Sequence, residues 1–153
     1  MKVSDILRVK GGTLYTAKPE DTLAEAAQLM AEKDIGSLVV IAHGLVVGML
    51  TFREVIQATV KNGGAFGTTT VYRAMDNGPL ICTMETEMDE VRRMMLDRHA
   101  RYMPVMEKGM LMGVISFYDV AKTVVDSQNF ENKMLKAYIR DWPEGQDSSP
   151  NSP

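Results

Sequence analysis

The sequence predicts an α+β fold built from two copies of one unit, each running strand–helix–strand–strand–helix. Three observations carry that expectation. Shifted by 65 positions, residues 15–60 of the 153-residue chain fall on residues 80–125 without a gap. In that register Gly44, Gly48 and Phe52 meet Gly109, Gly113 and Phe117, and LVVGMLTFREV meets MLMGVISFYDV. Within each copy, a helical apolar period gives way to short β-branched or apolar runs.

Each element has its own signal. Leu23, Ala26, Ala27 and Met30 stand at i, i+3, i+4 and i+7, one face of a helix, and Asp21 or Thr22 can cap it. Residues 37–41 and 45–50 read as strands joined at His43-Gly44, a hairpin turn. Thr51 opens a second helix carrying Val55, Ile56 and Val60. Copy two gives a helix over 88–98, strands over 102–106 and 110–115, and a helix from 116 to about 125. A short strand precedes each unit, near 15–17 and 81–83. Val71 begins a stretch that matches the one after Val3, a helical lead-in to each copy. The expected organisation is therefore a first domain over 1–61 with its lead-in helix, a Gly-rich linker over 62–70 and a second domain over 71–128. A separate C-terminal helix over 129–142 follows, capped by Asn129, with Phe130, Met134 and Tyr138 on one face. Pro143 stops that helix, and 143–153 reads as a disordered tail.

Composition narrows the function. A net charge of −3 and a pI near 5.4 offer no broad basic face for nucleic acid. The longest apolar stretch, over 38–50, is too short to cross a bilayer, and residues 1–10 lack the apolar core of a secretory signal. One cysteine, Cys82, excludes an intrachain disulfide. The expectation is a cytoplasmic, soluble chain.

Two such copies, each ending in Gly-x-x-Thr/Ser-x-x-acid, resemble a pair of cystathionine-β-synthase-type (CBS) domains. The matching segments are PEDTLAEAAQLMAEKDIGSLVVI with GMLTFREV, and ETEMDEVRRMMLDRHARYMPVM with GVISFYDV. The resemblance implies two domains packed sheet to sheet about a pseudo-twofold axis. It also implies an adenosine nucleotide (AMP, ADP or ATP) as regulatory ligand in the clefts between them, and a homodimer through the domain helices. A non-catalytic, energy-sensing module acting on an unidentified effector protein follows. The alternative is a structural or protein-interaction dimer that has lost nucleotide binding.

The residues say why a nucleotide could be held. Ser116 ends a strand and starts a helix, where free N–H groups and the helix dipole suit an anion. By the resemblance, Asp119 takes the ribose hydroxyls, a task suited to an acceptor-only carboxylate. The same resemblance implies that Arg101 aligns with a phosphate-contacting position and that Thr16 and Lys18 belong to the opposite wall. Tyr118 lies in the same turn, and Gly113 permits close approach. Ser/Thr-x-x-acid is also a capping box. Thr51-x-x-Glu54 fits that box in full, whereas Asp119 is a methylene shorter. Copy one also has Gly36 where copy two has Arg101. The Asp119 cleft is therefore expected to bind, and a weaker second site comprises Thr51, Glu54, Cys82 and Thr83.

The 13 methionines follow helix and strand faces and read as core rather than as a copper site. His43, His99 and Cys82 have neither zinc-ligand nor triad spacing. No paired acid and base or activated nucleophile stands out, so no enzyme and no metal site are expected.

Overall fold

A computed structural model describes residues 1–11 and 13–140. In order these form α1 (Val3–Lys10), β1 (Thr16–Ala17), α2 (Leu23–Lys33), β2 (Ser37–Ala42), β3 (Leu45–Thr51), α3 (Phe52–Lys61), α4 (Val71–Ala74), α5 (Met88–Arg98), β4 (Tyr102–Glu107), β5 (Met110–Ser116) and α6 (Phe117–Arg140). Met1–Phe117 is one compact unit; a second begins at Tyr118.

Within the first unit the duplication reaches the backbone torsions. Asp34 and His99, 65 apart, close α2 and α5 in the left-handed conformation at φ 52°. The hairpin turns repeat as well: His43 and Gly44 have φ 53° and 78°, Lys108 and Gly109 50° and 78°. Positive φ at both central residues is what a two-residue hairpin turn needs to match strand twist. Even the irregularity is copied, since the register shifts after Val40 opposite Gly48 and after Val105 opposite Gly113.

The sheets differ at their outer edges. In copy one, β1 pairs in parallel with β2 through Thr16↔Val39 and Ala17↔Val40. The strand expected near 81–83 is only a single bridge, Cys82↔Val105. Val39 corresponds to Pro104, which has no N–H to donate, so the outer ladder of copy two cannot gain the second rung.

Leu23, Met30, Leu38, Val40 and Leu50 form a buried cluster around copy one, with Val71 of α4 as a member. Each such side chain contributes about 1.5–3 kcal/mol by leaving water. Val71 points to an exchange between the copies. The lead-in helix of copy two packs on copy one: Val71 N donates to Asp21 O (2.8 Å) and Tyr72 N to Pro19 O (3.0 Å). The lead-in of copy one packs on copy two: Val3 N donates to Thr86 O (2.9 Å) and Ser4 N to Met84 O (3.0 Å). The Lys2–Glu85 ion pair at 2.6 Å closes the same junction.

The second unit contributes α6, and here the structure corrects the expected break. One helix runs unbroken from Phe117 to Arg140, so Asn129 lies mid-helix and caps nothing. Asp126-Ser127-Gln128-Asn129 contains neither Gly nor Pro, and each costs under about 0.7 kcal/mol relative to alanine. A helix already nucleated propagates through such a stretch. Met134, Leu135 and Ile139 on it are exposed. The expected face through Phe130 and Tyr138, the stop at Pro143 and the tail over 143–153 lie outside the described side chains or residues.

Candidate functional site

The copy-two turn is built by β5 and the start of α6. Ser116, the last residue of β5, pairs with Tyr102 at the start of β4. The next amide, Phe117 N, donates to Arg101 O at 2.7 Å. Arg101 and the Ser116 turn are thus brought to one corner of the second sheet, and Arg101 is exposed. Asp119 falls in the first turn of α6, and Tyr118 beside it is exposed. Thr16 and Lys18 stand exposed on the first sheet, at β1 and just after it. The Lys18 amide donates to Asp21 Oδ2 at 2.9 Å, which leaves its ammonium on a fixed backbone.

Gly113 is buried, and the close approach it permits is made by the protein itself. A Cβ there would come within 2.9 Å of Leu7 Cδ2 on α1. Lys10, at the end of that helix, donates from Nζ to Val114 O at 3.0 Å, putting a cation two residues from Ser116. Neither Leu7 nor Lys10 was legible beforehand, because nothing local to them says that α1 docks on the other copy.

The copy-one turn closes on itself. Thr51 N and Oγ1 both donate to Glu54 Oε1, at 2.8 and 2.6 Å, and Arg53 N donates to Thr51 Oγ1 at 3.2 Å. The polar groups of this motif cap α3. Thr83 is likewise engaged locally: its amide donates to Thr86 Oγ1 (3.0 Å) and its hydroxyl accepts from Glu85 N (3.3 Å). Cys82 is buried, and desolvation pushes its thiol up to about 12, so it stays protonated at neutral pH.

Across the seam, the Tyr102 side chain lies against Gly36. A Cβ on residue 36 would overlap the phenolic oxygen and stand 2.7 Å from Cζ. The clue available in the sequence was the pair of mismatches, Gly36 for Arg101 and Ser37 for Tyr102.

Among the described residues, no group of three His, Cys, Asp or Glu side chains could hold a metal ion. No described helix is long and apolar enough to cross a membrane.

A sequence model of the CBS domain matches residues 3–61 and again 71–126. The chain therefore belongs to the CBS-domain family, as a tandem pair, and its α+β fold is that of the family. Among curated relatives, a mitochondrial CBS domain-containing protein of Arabidopsis thaliana, CBSX3, is 28% identical over 147 residues, spanning 90% of this chain and 71% of its own. Among solved structures, the CBS-domain protein ATU1752 of Agrobacterium tumefaciens superposes with a TM-score of 0.77 at 32% identity. That match covers 80% of this chain and 98% of the other. The CBS pair of MJ0100, solved with 5-methylthioadenosine and S-adenosyl-L-methionine, matches with a TM-score of 0.74 at 21% identity, over 83% and 98% of the two chains.

Proposed function

We propose that the chain is a non-catalytic regulatory module of the cytoplasm that binds an adenosine-containing nucleotide of the AMP, ADP or ATP class. In this reading Asp119 accepts from the ribose hydroxyls, and Ser116 and the first amides of α6 take an anionic oxygen. Arg101 pairs with phosphate, a charge-assisted contact of matched geometry. Tyr118, Thr16 and Lys18 complete the site, with Gly113 beneath Leu7 rather than open to the ligand, and Thr51, Glu54, Cys82 and Thr83 belong to a second cleft that is weak or empty. The observation that carries the reading is the Arg101 corner: the Phe117–Arg101 backbone bond holds Arg101 beside Ser116 at the end of β5. A related pair solved with two adenosine compounds supports the ligand class.

Thermal unfolding with AMP, ADP, ATP, S-adenosylmethionine and NAD tests it. A ligand at about a hundred times its dissociation constant adds roughly 2.7 kcal/mol, a rise on the order of 5–10 °C for a chain of this size. Asp119→Ala removes the rise and Glu54→Ala spares it; no rise with any compound defeats the reading.

A second reading, a ligand-free interaction dimer, has its own support. Helix α3 buries no residue, and Phe52, Ile56 and Val60 stand exposed at i, i+4 and i+8. Both readings include a homodimer through these helices. Sedimentation of Ile56→Glu against the parent chain checks that, with a shift to monomer expected.

A further inference from the structure

We propose that Tyr102 closes the copy-one cleft from across the seam and so limits the chain to one nucleotide; the inference rests on the nucleotide reading above. Tyr102 begins β4, yet its ring reaches the residue just before β2. The position a Cβ of residue 36 would take overlaps the phenolic oxygen and lies 3.3 Å from Phe52 Cε2. Gly36 O accepts from Phe52 N at 3.3 Å, the counterpart of the Arg101–Phe117 bond. The phenol therefore stands at the copy-one corner that corresponds to the Arg101 corner of copy two.

The two corners differ in what they offer a ligand. One presents Arg101 beside Ser116 at the end of β5. The other presents a glycine under a half-buried ring. The intrusion runs one way, because the residue equivalent to Tyr102 in copy one is Ser37, whose side chain is too short to cross. Gly36 is what makes the ring's position available. Tyr102 is thus a specificity-determining residue that acts by occupancy, fixing how many ligands bind rather than which.

The test is calorimetric titration of the full chain with AMP, comparing the parent with Tyr102→Ser, which installs the copy-one side chain, and with Tyr102→Val and Tyr102→Phe. The Ser and Val variants are expected to bind one more equivalent than the parent, and the Phe variant the same number. The gain disappears when Glu54→Ala is added and survives Asp119→Ala. Unchanged stoichiometry in Tyr102→Ser and Tyr102→Val, or two equivalents in the parent, overturns the proposal. A parent that binds none beside a Ser variant that binds one defeats the Asp119 assignment alone; one equivalent throughout defeats only the role of Tyr102. A ligand-free measurement guards against misfolding of the variants. Gly36→Ala should lower the melting midpoint by about 2–5 °C in the parent, and by less than half of that in the Tyr102→Ser background. Equal losses in both backgrounds show that the ring does not press on residue 36 and overturn the proposal.

Discussion

Copy one and copy two agree where their hairpins and helix ends bend and part company at the corner where Tyr102 meets Gly36. The left-handed helix ends, the hairpin turns and the bulges recur 65 residues apart. In the alignment Gly36 meets Arg101, Ser37 meets Tyr102 and Glu54 meets Asp119. Backbone torsion admits few solutions for a given fold, so both copies use the same ones. A seam between two bodies only has to be filled once, and here copy two supplies the filler. The lesson is that duplicated folds can lose symmetry of function without losing symmetry of chain path.

That comparison can be broken most sharply at the paired glycines. At Gly48 an added Cβ would meet the backbone oxygen of Asp76 at 2.7 Å, whereas at Gly113 it would meet only the flexible end of Leu7 at 2.9 Å. Gly48→Ala should therefore destabilise by up to about 3 kcal/mol and Gly113→Ala by less than about 1 kcal/mol. Denaturant unfolding of the two variants measures this, and equal losses contradict the asymmetry.

The helix starts give a smaller contrast. Thr22 Oγ1 accepts from Glu25 N at 3.1 Å, while its counterpart Glu87 makes no side-chain cap. Thr22→Ala should cost about 1 kcal/mol and Glu87→Ala under about 0.5 kcal/mol. Glu87→Thr should recover stability at that second start, read as a higher denaturation midpoint.

The smallest effect sits where α1 meets copy two. The hydrogen bond and charge of Glu85 raise the Lys2 ammonium above its ordinary 10.5. A raised cation stabilises the fold below its unfolded value, and that contribution fades as pH climbs through the folded one. Lys2→Met should lower stability slightly at pH 7, and that difference from the parent should close as pH rises above about 10.

Much of this was readable in advance, for physical reasons that differ by element. Strands, hairpins and helices announce themselves through period and turn chemistry, and the ungapped repeat doubled each signal. Thr51 and Glu54 were readable as a cap because both partners lie within one turn. The continuity of α6 was not, since Ser127 and Asn129 favour a helix start only when nothing upstream already propagates through them. Leu7, Lys10 and Tyr102 escaped because their contacts are made some 65 or more residues away, which no local pattern records. Pro104 was visible, but its effect on the outer rung needed the pairing register before it meant anything.

The crossed docking of α1 and α4 bears on how such a protein can be divided. Severing the chain in the glycine-rich stretch would not release two self-sufficient pieces. Residues 1–61 would carry a helix shaped for the absent half and expose the apolar floor where Val71 belongs. Each fragment is the other's lid, so assembly of the two is coupled into a single event.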